Sequence, residues 1–174
     1  VRGARICARA VVLAAGVASR RMGVAALDAF SAVVLYGFPA DVERPTPAAT
    51  ADAKPARAKT TAAAAGEDFV TPDSAPTSVR DAYVQQALAS DPVRADWTHL
   101  EQFRFHPETV RVPVLLLHGV DDGYAQRASL EHLFVKLGTP DKSWVVLPYS
   151  DHAAHIEDSQ GAWLQALTDF IERP

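Results

Sequence analysis

The residues best suited to acid–base chemistry lie in two short stretches of the last third of the chain. HGVDDGYA, residues 118–125, places Asp121 and Asp122 on a glycine-containing turn, and LPYSDHAAHIED, residues 147–158, contains His152 among three acids. A carboxylate that accepts a hydrogen bond from an imidazole fixes its tautomer and stabilises its charged form. Such a histidine suits general-base catalysis because its unperturbed pKa lies near 6.5.

Each stretch follows an apolar run that is typical of a strand buried on both faces, at Val114–His118 and in KSWVVLP, residues 142–148. Amphipathic helix patterns cover residues 128–138 and 159–172. Strand, helix, strand and helix at these lengths indicate βαβ units in a parallel sheet. Because the carboxyl ends of parallel strands lie at one edge of a sheet, we expect one aspartate to reach His152.

The first two thirds of the chain are less regular. FSAVVLYGFP, residues 30–39, predicts another buried strand, and the alanines of Ala10–Met22 favour a helix. Residues 40–78 are rich in Pro, Ala and Thr, so only short helical turns are expected there, near Thr61–Glu67. Two helices are predicted next, over 78–92 with Ser78 as its cap and over 91–103.

An acid after one strand and a histidine after the next resemble the C-terminal portion of the α/β-hydrolase fold. VPVLLLHGVDD, SWVVLPYSDHAAHIE and the terminal helix carry the resemblance, and SAVVLYGFPAD looks like the family's preceding strand. The implied fold class is α/β, with a short parallel sheet of about three strands flanked by helices and a Pro/Ala-rich cap-like insertion. We expect residues 1–174 to form one such domain, incomplete at its N-terminus, with 40–105 as cap and connector.

The resemblance also implies roles for the two stretches. In the pattern H-G-x-x-D the acid falls on Asp122, and His152 takes the place of the general base. The family's chain order is nucleophile, acid, histidine, which this sequence respects for the last two. The implied reaction is the hydrolysis of an ester, amide or similar bond in a small-molecule substrate with a carbonyl group.

The family's nucleophile motif, G-x-S-x-G, is absent from the sequence. With a helix at Ala10–Met22, the nucleophile is expected near residues 6–10, where Cys7 lies between Arg5 and Arg9 rather than between glycines. Ser19, flanked in the same way by Val17 and Arg21, is the other candidate. We therefore expect this chain alone to have little turnover; the alternative is an inactive, hydrolase-derived binding module or a truncated fragment.

Each of these titratable residues can also be explained without a catalytic role. Asp121 and Asp122 suit an ordinary turn, and His118 is expected to pack rather than react. His152 and His155 share one helix face and raise a metal site as an alternative, although no third ligand is defined. No sequence pattern assigns a function to the remaining histidines, which are His99, His106 and His132.

Composition excludes several classes of function. The formal net charge is −4 and the basic residues are scattered, which argues against nucleic-acid binding. No GxGxxG or phosphate-binding loop indicates a cofactor, and a single cysteine allows no internal disulfide. The apolar part of VRGARICARAVVLAAGVASRR is too short to span a bilayer, which needs about 20 residues. A cytoplasmic protein is expected, although this opening resembles a targeting segment.

Overall fold

The computed structural model describes residues 10–14, 31–38, 58–90, 92–93 and 106–173, with only the backbone described for 10–14. The predicted helix over 91–103 lies outside these residues except for Pro92 and Val93. Val93 pairs with Lys59 in an isolated antiparallel bridge. The nucleophile candidates Cys7 and Ser19, and His99, also lie outside the described residues.

The described residues form a parallel sheet of four strands in chain order. The strands are β1 (Ala10–Ala14), β2 (Ala32–Tyr36), β3 (Val114–Gly119) and β4 (Lys142–Leu147). All four run in the same direction, so their carboxyl ends lie at one edge of the sheet. This confirms the predicted parallel sheet, and β1 adds a strand to the three that the sequence indicated.

The helix predicted to begin at Ala10 is wrong over Ala10–Ala14, which form β1. The strand contains Val11, Val12 and Leu13, and Val12 pairs with Val34 at the centre of β2. β-Branched residues fit a pleated, paired strand better than a helix, and pairing with a long-range partner outweighs the helix propensity of the flanking alanines.

The helices largely follow the predicted segments: α1 (Ala62–Gly66), α2 (Thr77–Ser90), α3 (Arg127–Lys136) and α4 (Gln160–Ile171), with a 3₁₀ turn at Pro107–Thr109. Helix α1 confirms the helical turn predicted near 61–67, and the Thr61 side chain caps it by accepting a hydrogen bond from the Ala64 backbone N–H at 3.1 Å. Ser78 lies inside α2 rather than at its cap, because the helix begins one residue earlier.

Strand β3 is the centre of the core. Val114 and Leu116 face a cluster that includes Leu130 and Leu133 of α3. The intervening Leu115 and Leu117 face a second cluster, which includes Phe170 of α4. Burial on both faces explains why this strand is uniformly apolar, and each fully buried leucine contributes about 1.5–3 kcal/mol of transfer free energy.

Part of the region predicted as cap and connector packs on the loop that follows β4. Phe69 and Ala75 form an apolar cluster with Ala153, against which Tyr83 and Ile156 also pack. Residues 58–90 therefore contact the stretch that contains His152.

The domain boundaries stay a prediction. Within the described ranges, no helix has the length and apolar character needed to cross a membrane.

Candidate active site

The loops after β3 and β4 bring the Asp122 carboxylate and the His152 imidazole into contact. His152 Nδ1 lies 3.0 Å from Asp122 Oδ2 and 3.2 Å from Oδ1. The Asp122 side chain is 0% exposed and that of His152 is 15% exposed, so the pair is shielded but reachable from one side. Strand direction and strand adjacency thus place these two side chains together, as the sequence predicted.

Asp122 is held by its own turn. Its Oδ1 accepts hydrogen bonds from the backbone N–H groups of Tyr124 at 2.9 Å and Ala125 at 3.0 Å. Burial by itself raises the pKa of Asp122, but the hydrogen bond and charge of His152 and these two amides outweigh it, so the pKa lies below its ordinary value. The adjacent Asp121 is exposed, which distinguishes the two aspartates by environment.

The His152 imidazole has the opposite shift. Burial lowers its pKa, but the hydrogen bond and the negative charge of Asp122 outweigh burial, and the pKa of His152 lies above its ordinary value. When Asp122 is ionised it accepts a hydrogen bond, so Nδ1 donates and a neutral His152 carries its lone pair on Nε2. The pair can therefore take up a proton at Nε2 and stabilise the resulting imidazolium.

Gly37, the residue after β2, allows this contact. Its φ is +51°, and a Cβ at this position would lie 2.9 Å from His152 Cε1 and 3.2 Å from Asp122 Oδ2. Only glycine has neither the backbone strain nor the clash. From the sequence, Gly37 indicated no more than the end of a strand; its Gly-Phe-Pro context gives no sign of the neighbouring Asp–His pair.

Tyr36, the last residue of β2, supports His152 from the other side. Its hydroxyl donates a hydrogen bond to the His152 carbonyl oxygen at 2.6 Å, and its ring lies nearly parallel to the imidazole, with 6.5 Å between centroids. Burial raises the pKa of Tyr36 well above its usual range, so the hydroxyl remains a donor at ordinary pH. The sequence assigned this residue only to a buried strand.

The other described histidines have different surroundings. His118 is buried, and its Nδ1 accepts a hydrogen bond from Trp144 Nε1 at 3.1 Å, which places its proton on Nε2. Burial lowers the pKa of His118 and also that of His155, whose Nδ1 lies 3.4 Å from the Tyr36 hydroxyl. His106 and His132 are exposed. In the described part of the chain, no three His, Cys, Asp or Glu side chains are arranged to hold a metal.

Strand β1 changes where a nucleophile is expected. The carboxyl end of β1 is Ala14, at the same sheet edge as Asp122 and His152. Ser19 follows this strand in the chain and Cys7 precedes it. The expectation of a nucleophile at residues 6–10 depended on a helix at Ala10, and its premise fails with that helix.

No protein-family model and no curated protein matches the chain. Solved structures do. An esterase, EaEST, from Exiguobacterium antarcticum superposes with a TM-score of 0.55 at 15% identity, over 82% of this chain and 57% of the esterase. The esterase RhEst1 from Rhodococcus sp. ECU1013 gives 0.53 at 18% identity, over 81% and 55%. An alpha/beta hydrolase fold protein from Chitinophaga pinensis gives 0.51 at 13%, over 83% and 57%.

These likenesses define the class of fold: the chain has the architecture of the α/β hydrolases, as its acid and histidine loops indicated. At 13–18% identity the similarity concerns the fold alone. The chain spans a little more than half the length of each of these proteins, 55–57%. A shared fold by itself does not determine the reaction or the roles of individual residues.

Proposed function

We propose that this protein is a hydrolase of the serine-hydrolase type, which cleaves an ester, amide or similar bond in a small carbonyl substrate. The contact between Asp122 and His152 Nδ1, at 3.0 Å, is the observation that carries the proposal. It leaves Nε2 of His152 as the atom that exchanges a proton with the reacting groups. The identity of the substrate would depend on the region that covers the site, residues 40–105, where the sequence pattern is least clear.

His152 acts as the general base. Nε2 takes the proton of the attacking hydroxyl and later returns it to the leaving group, while Asp122 holds the ring and stabilises the imidazolium. Because the pKa of His152 is raised, a larger share of the ring is protonated near neutral pH. Activity should therefore rise with pH through this raised value, as the neutral base accumulates.

Ser19 is the proposed nucleophile in preference to Cys7. It follows β1 in sequence, and the carboxyl end of β1 belongs to the edge that holds Asp122 and His152. The proposal departs from the G-x-S-x-G pattern, because Val17 and Arg21 occupy the glycine positions. Low turnover is therefore expected even if Ser19 reacts.

A fluorophosphonate probe tests this proposal directly. We expect the native protein to be labelled at Ser19, as mapped by mass spectrometry, and heat-denatured protein to remain unlabelled. Labelling should be lost in Ser19→Ala and should slow by several orders of magnitude in His152→Ala. The matched control is Asp121→Asn, an exposed carboxyl beside Asp122, which should label like wild type. Turnover that persists in Ser19→Ala but is lost in Cys7→Ala would transfer the role to Cys7.

A non-catalytic binding module is the second candidate. The absence of glycine two residues to either side of Ser19 and of Cys7 favours it, because the strained turn that presents a nucleophile usually requires glycine there. In this case the native protein would show no labelling above the denatured background, and His152→Ala would change nothing in the assay. That outcome would reject the hydrolase proposal for this chain.

A further inference from the structure

Two buried carboxyl groups lie beside His152 in the same loop, and the proposed reaction uses neither. Asp151 is 0% exposed and Glu157 is 4% exposed. In Asp151, Oδ2 accepts a hydrogen bond from the Thr71 backbone N–H at 2.5 Å and Oδ1 accepts one from the Ala153 N–H at 3.0 Å.

The Glu157 carboxyl is bonded in a similar way. Its Oε1 accepts a hydrogen bond from the Ser74 hydroxyl at 2.5 Å, and its Oε2 accepts one from the Asp151 backbone N–H at 3.1 Å. The Asp158 N–H also donates to the Ser74 carbonyl oxygen at 2.8 Å. The two acids thus join the loop after β4 to residues 71–74 of the segment that packs over it.

Neither acid is a partner in the ion pairs that join Arg127 to Glu131 and Arg173 to Asp141. Burial raises the pKa of Glu157, and the neighbouring Asp151 carboxyl raises it further, against the hydrogen bonds from Ser74 and the Asp151 amide. Two ionised carboxylates that are both buried and lie close together repel each other strongly.

Other titratable groups face the pair from each side. From β2, Tyr36 faces the pair, and the charges of Asp151 and Glu157 both raise the pKa of its hydroxyl. From the same loop, the charge of Asp151 raises the pKa of His152, but the His152 imidazole is already paired with Asp122. From residues 71–74 come only the Thr71 amide and the Ser74 hydroxyl as donors. A proton held between the two carboxyls would limit their repulsion.

We propose that Asp151 and Glu157 share one proton in the folded protein, and that this singly charged pair is a positioning device that holds the His152 loop against residues 71–74. Asp151 accepts hydrogen bonds from two backbone amides, and Glu157 carries the proton. Loss of that proton drives the carboxyls apart and loosens the hydrogen bonds of Thr71 and Ala153. The inference goes beyond the proposed function and does not depend on it.

The sign of the pH effect follows from linkage. Because the folded pKa of Glu157 lies above its ordinary value of 4.5, the folded state holds a proton that the unfolded chain releases. This contribution to stability is fully present below the unfolded pKa and is lost as pH rises through the folded pKa. Over that window, the wild-type unfolding constant should increase by up to about tenfold per pH unit relative to a variant that cannot titrate there.

Glu157→Gln is that variant, since its amide can donate to Asp151 as the protonated acid does. Denaturant unfolding between pH 4 and pH 8 should show the wild type losing stability relative to Glu157→Gln as pH rises. The matched control is Asp158→Asn, an exposed carboxyl one residue away, which should follow the wild type. A wild-type-to-Gln difference that is constant with pH would overturn the proposal.

Carbon-13 NMR of the wild-type side-chain carboxyls tests the same claim without any variant that must fold. We expect the Glu157 carboxyl to titrate above its ordinary pKa, and amide-exchange protection at Thr71 and Ala153 to fall along the same curve. A Glu157 carboxyl that titrates at or below the ordinary value would overturn the shared proton. Protection that stays constant through the titration would overturn its role in holding the loop.

Discussion

The Asp122 carboxyl and the His152 imidazole stabilise each other's charged forms, and this coupling has a pH signature. The raised pKa of His152 adds stability that is present below its unfolded value, about 6.5, and is lost as pH rises through the folded pKa. The lowered pKa of Asp122 adds stability that is present above its unfolded value, 3.8, and is lost as pH falls through the folded pKa.

The variant Asp122→Asn should therefore be destabilised most between about pH 4 and pH 6.5, where both groups are charged in the wild type. The expected cost is about 3–5 kcal/mol, since one partner of a buried pair remains without the other. Urea unfolding across this range provides the measurement. Asp121→Asn, the exposed neighbour, should show no such pH dependence, and an equal effect in both variants would mean that the coupling is absent.

Gly37 makes a second prediction at the level of single residues. Gly37→Ala should lower the free energy of unfolding by at least about 1–2 kcal/mol, because alanine is strained at this positive φ, and its Cβ would displace the His152 ring. Gly161→Ala is the matched control: it lies in α4 with open space around its Cβ position, and alanine favours a helix. Urea unfolding and the His152 NMR signals report the two effects separately.

Should Gly37→Ala leave both stability and the His152 signals unchanged, the close approach at Gly37 would be wrong.

Gly37 differs from Asp122 and His152 in how well the sequence predicts its role. The strand pattern placed an aspartate near His152, because each follows an apolar strand, and the resemblance to the hydrolase pattern H-G-x-x-D selected Asp122. The roles of Gly37, Asp151 and Glu157 depend on which distant segments meet them, and no local pattern records that.

At the scale of elements, the end of β3 and the loop after β4 form one unit. The Asp121 backbone N–H donates to the Ser150 carbonyl oxygen at 3.0 Å, and Gly119 lies directly beneath that loop. A Cβ on Gly119 would lie 2.4 Å from the Ser150 oxygen and 2.5 Å from the Asp151 oxygen. The loop that contains His152 is thus placed by the backbone at the end of the neighbouring strand.

We expect Gly119→Ala to destabilise the protein by about 1–3 kcal/mol through this overpacking, and to shift the NMR signals of both loops. Gly123→Ala, on the same turn but with open space around its Cβ position, should be nearly neutral. Thermal unfolding of the two variants side by side gives the comparison. Equal melting temperatures would contradict the packing of Gly119 under the loop.

The elements themselves were predictable where their patterns were local. The strands β3 and β4 are uniform apolar runs, and α3 and α4 alternate with them at βαβ spacing. Strand β1 could not be predicted in this way, because its alanines favour a helix and only pairing with β2 makes Ala10–Ala14 extended. The expectation of a nucleophile at residues 6–10 depended on the same predicted helix.

At the scale of the whole molecule, β1 and β4 are the outer strands of the described sheet. We propose that the protein is marginally stable or self-associates through an exposed sheet edge, since unpaired strand edges favour pairing between chains. Sedimentation velocity should show a larger species that grows with protein concentration, together with a concentration-dependent melting temperature. A monomer that melts sharply at all concentrations would contradict it.

The most direct test of the central claim, that the fold couples Asp122 to His152 at the carboxyl edge of the sheet, is a nitrogen-15 NMR titration of the His152 ring. We expect the wild-type ring to carry its neutral-state proton on Nδ1 and to titrate above the ordinary pKa. In Asp122→Asn the largest contribution that opposes burial is lost, and only the charges of Asp68 and Asp151 still raise the pKa of His152, so this pKa should fall. A His152 ring that titrates at the ordinary value in both proteins would contradict the account.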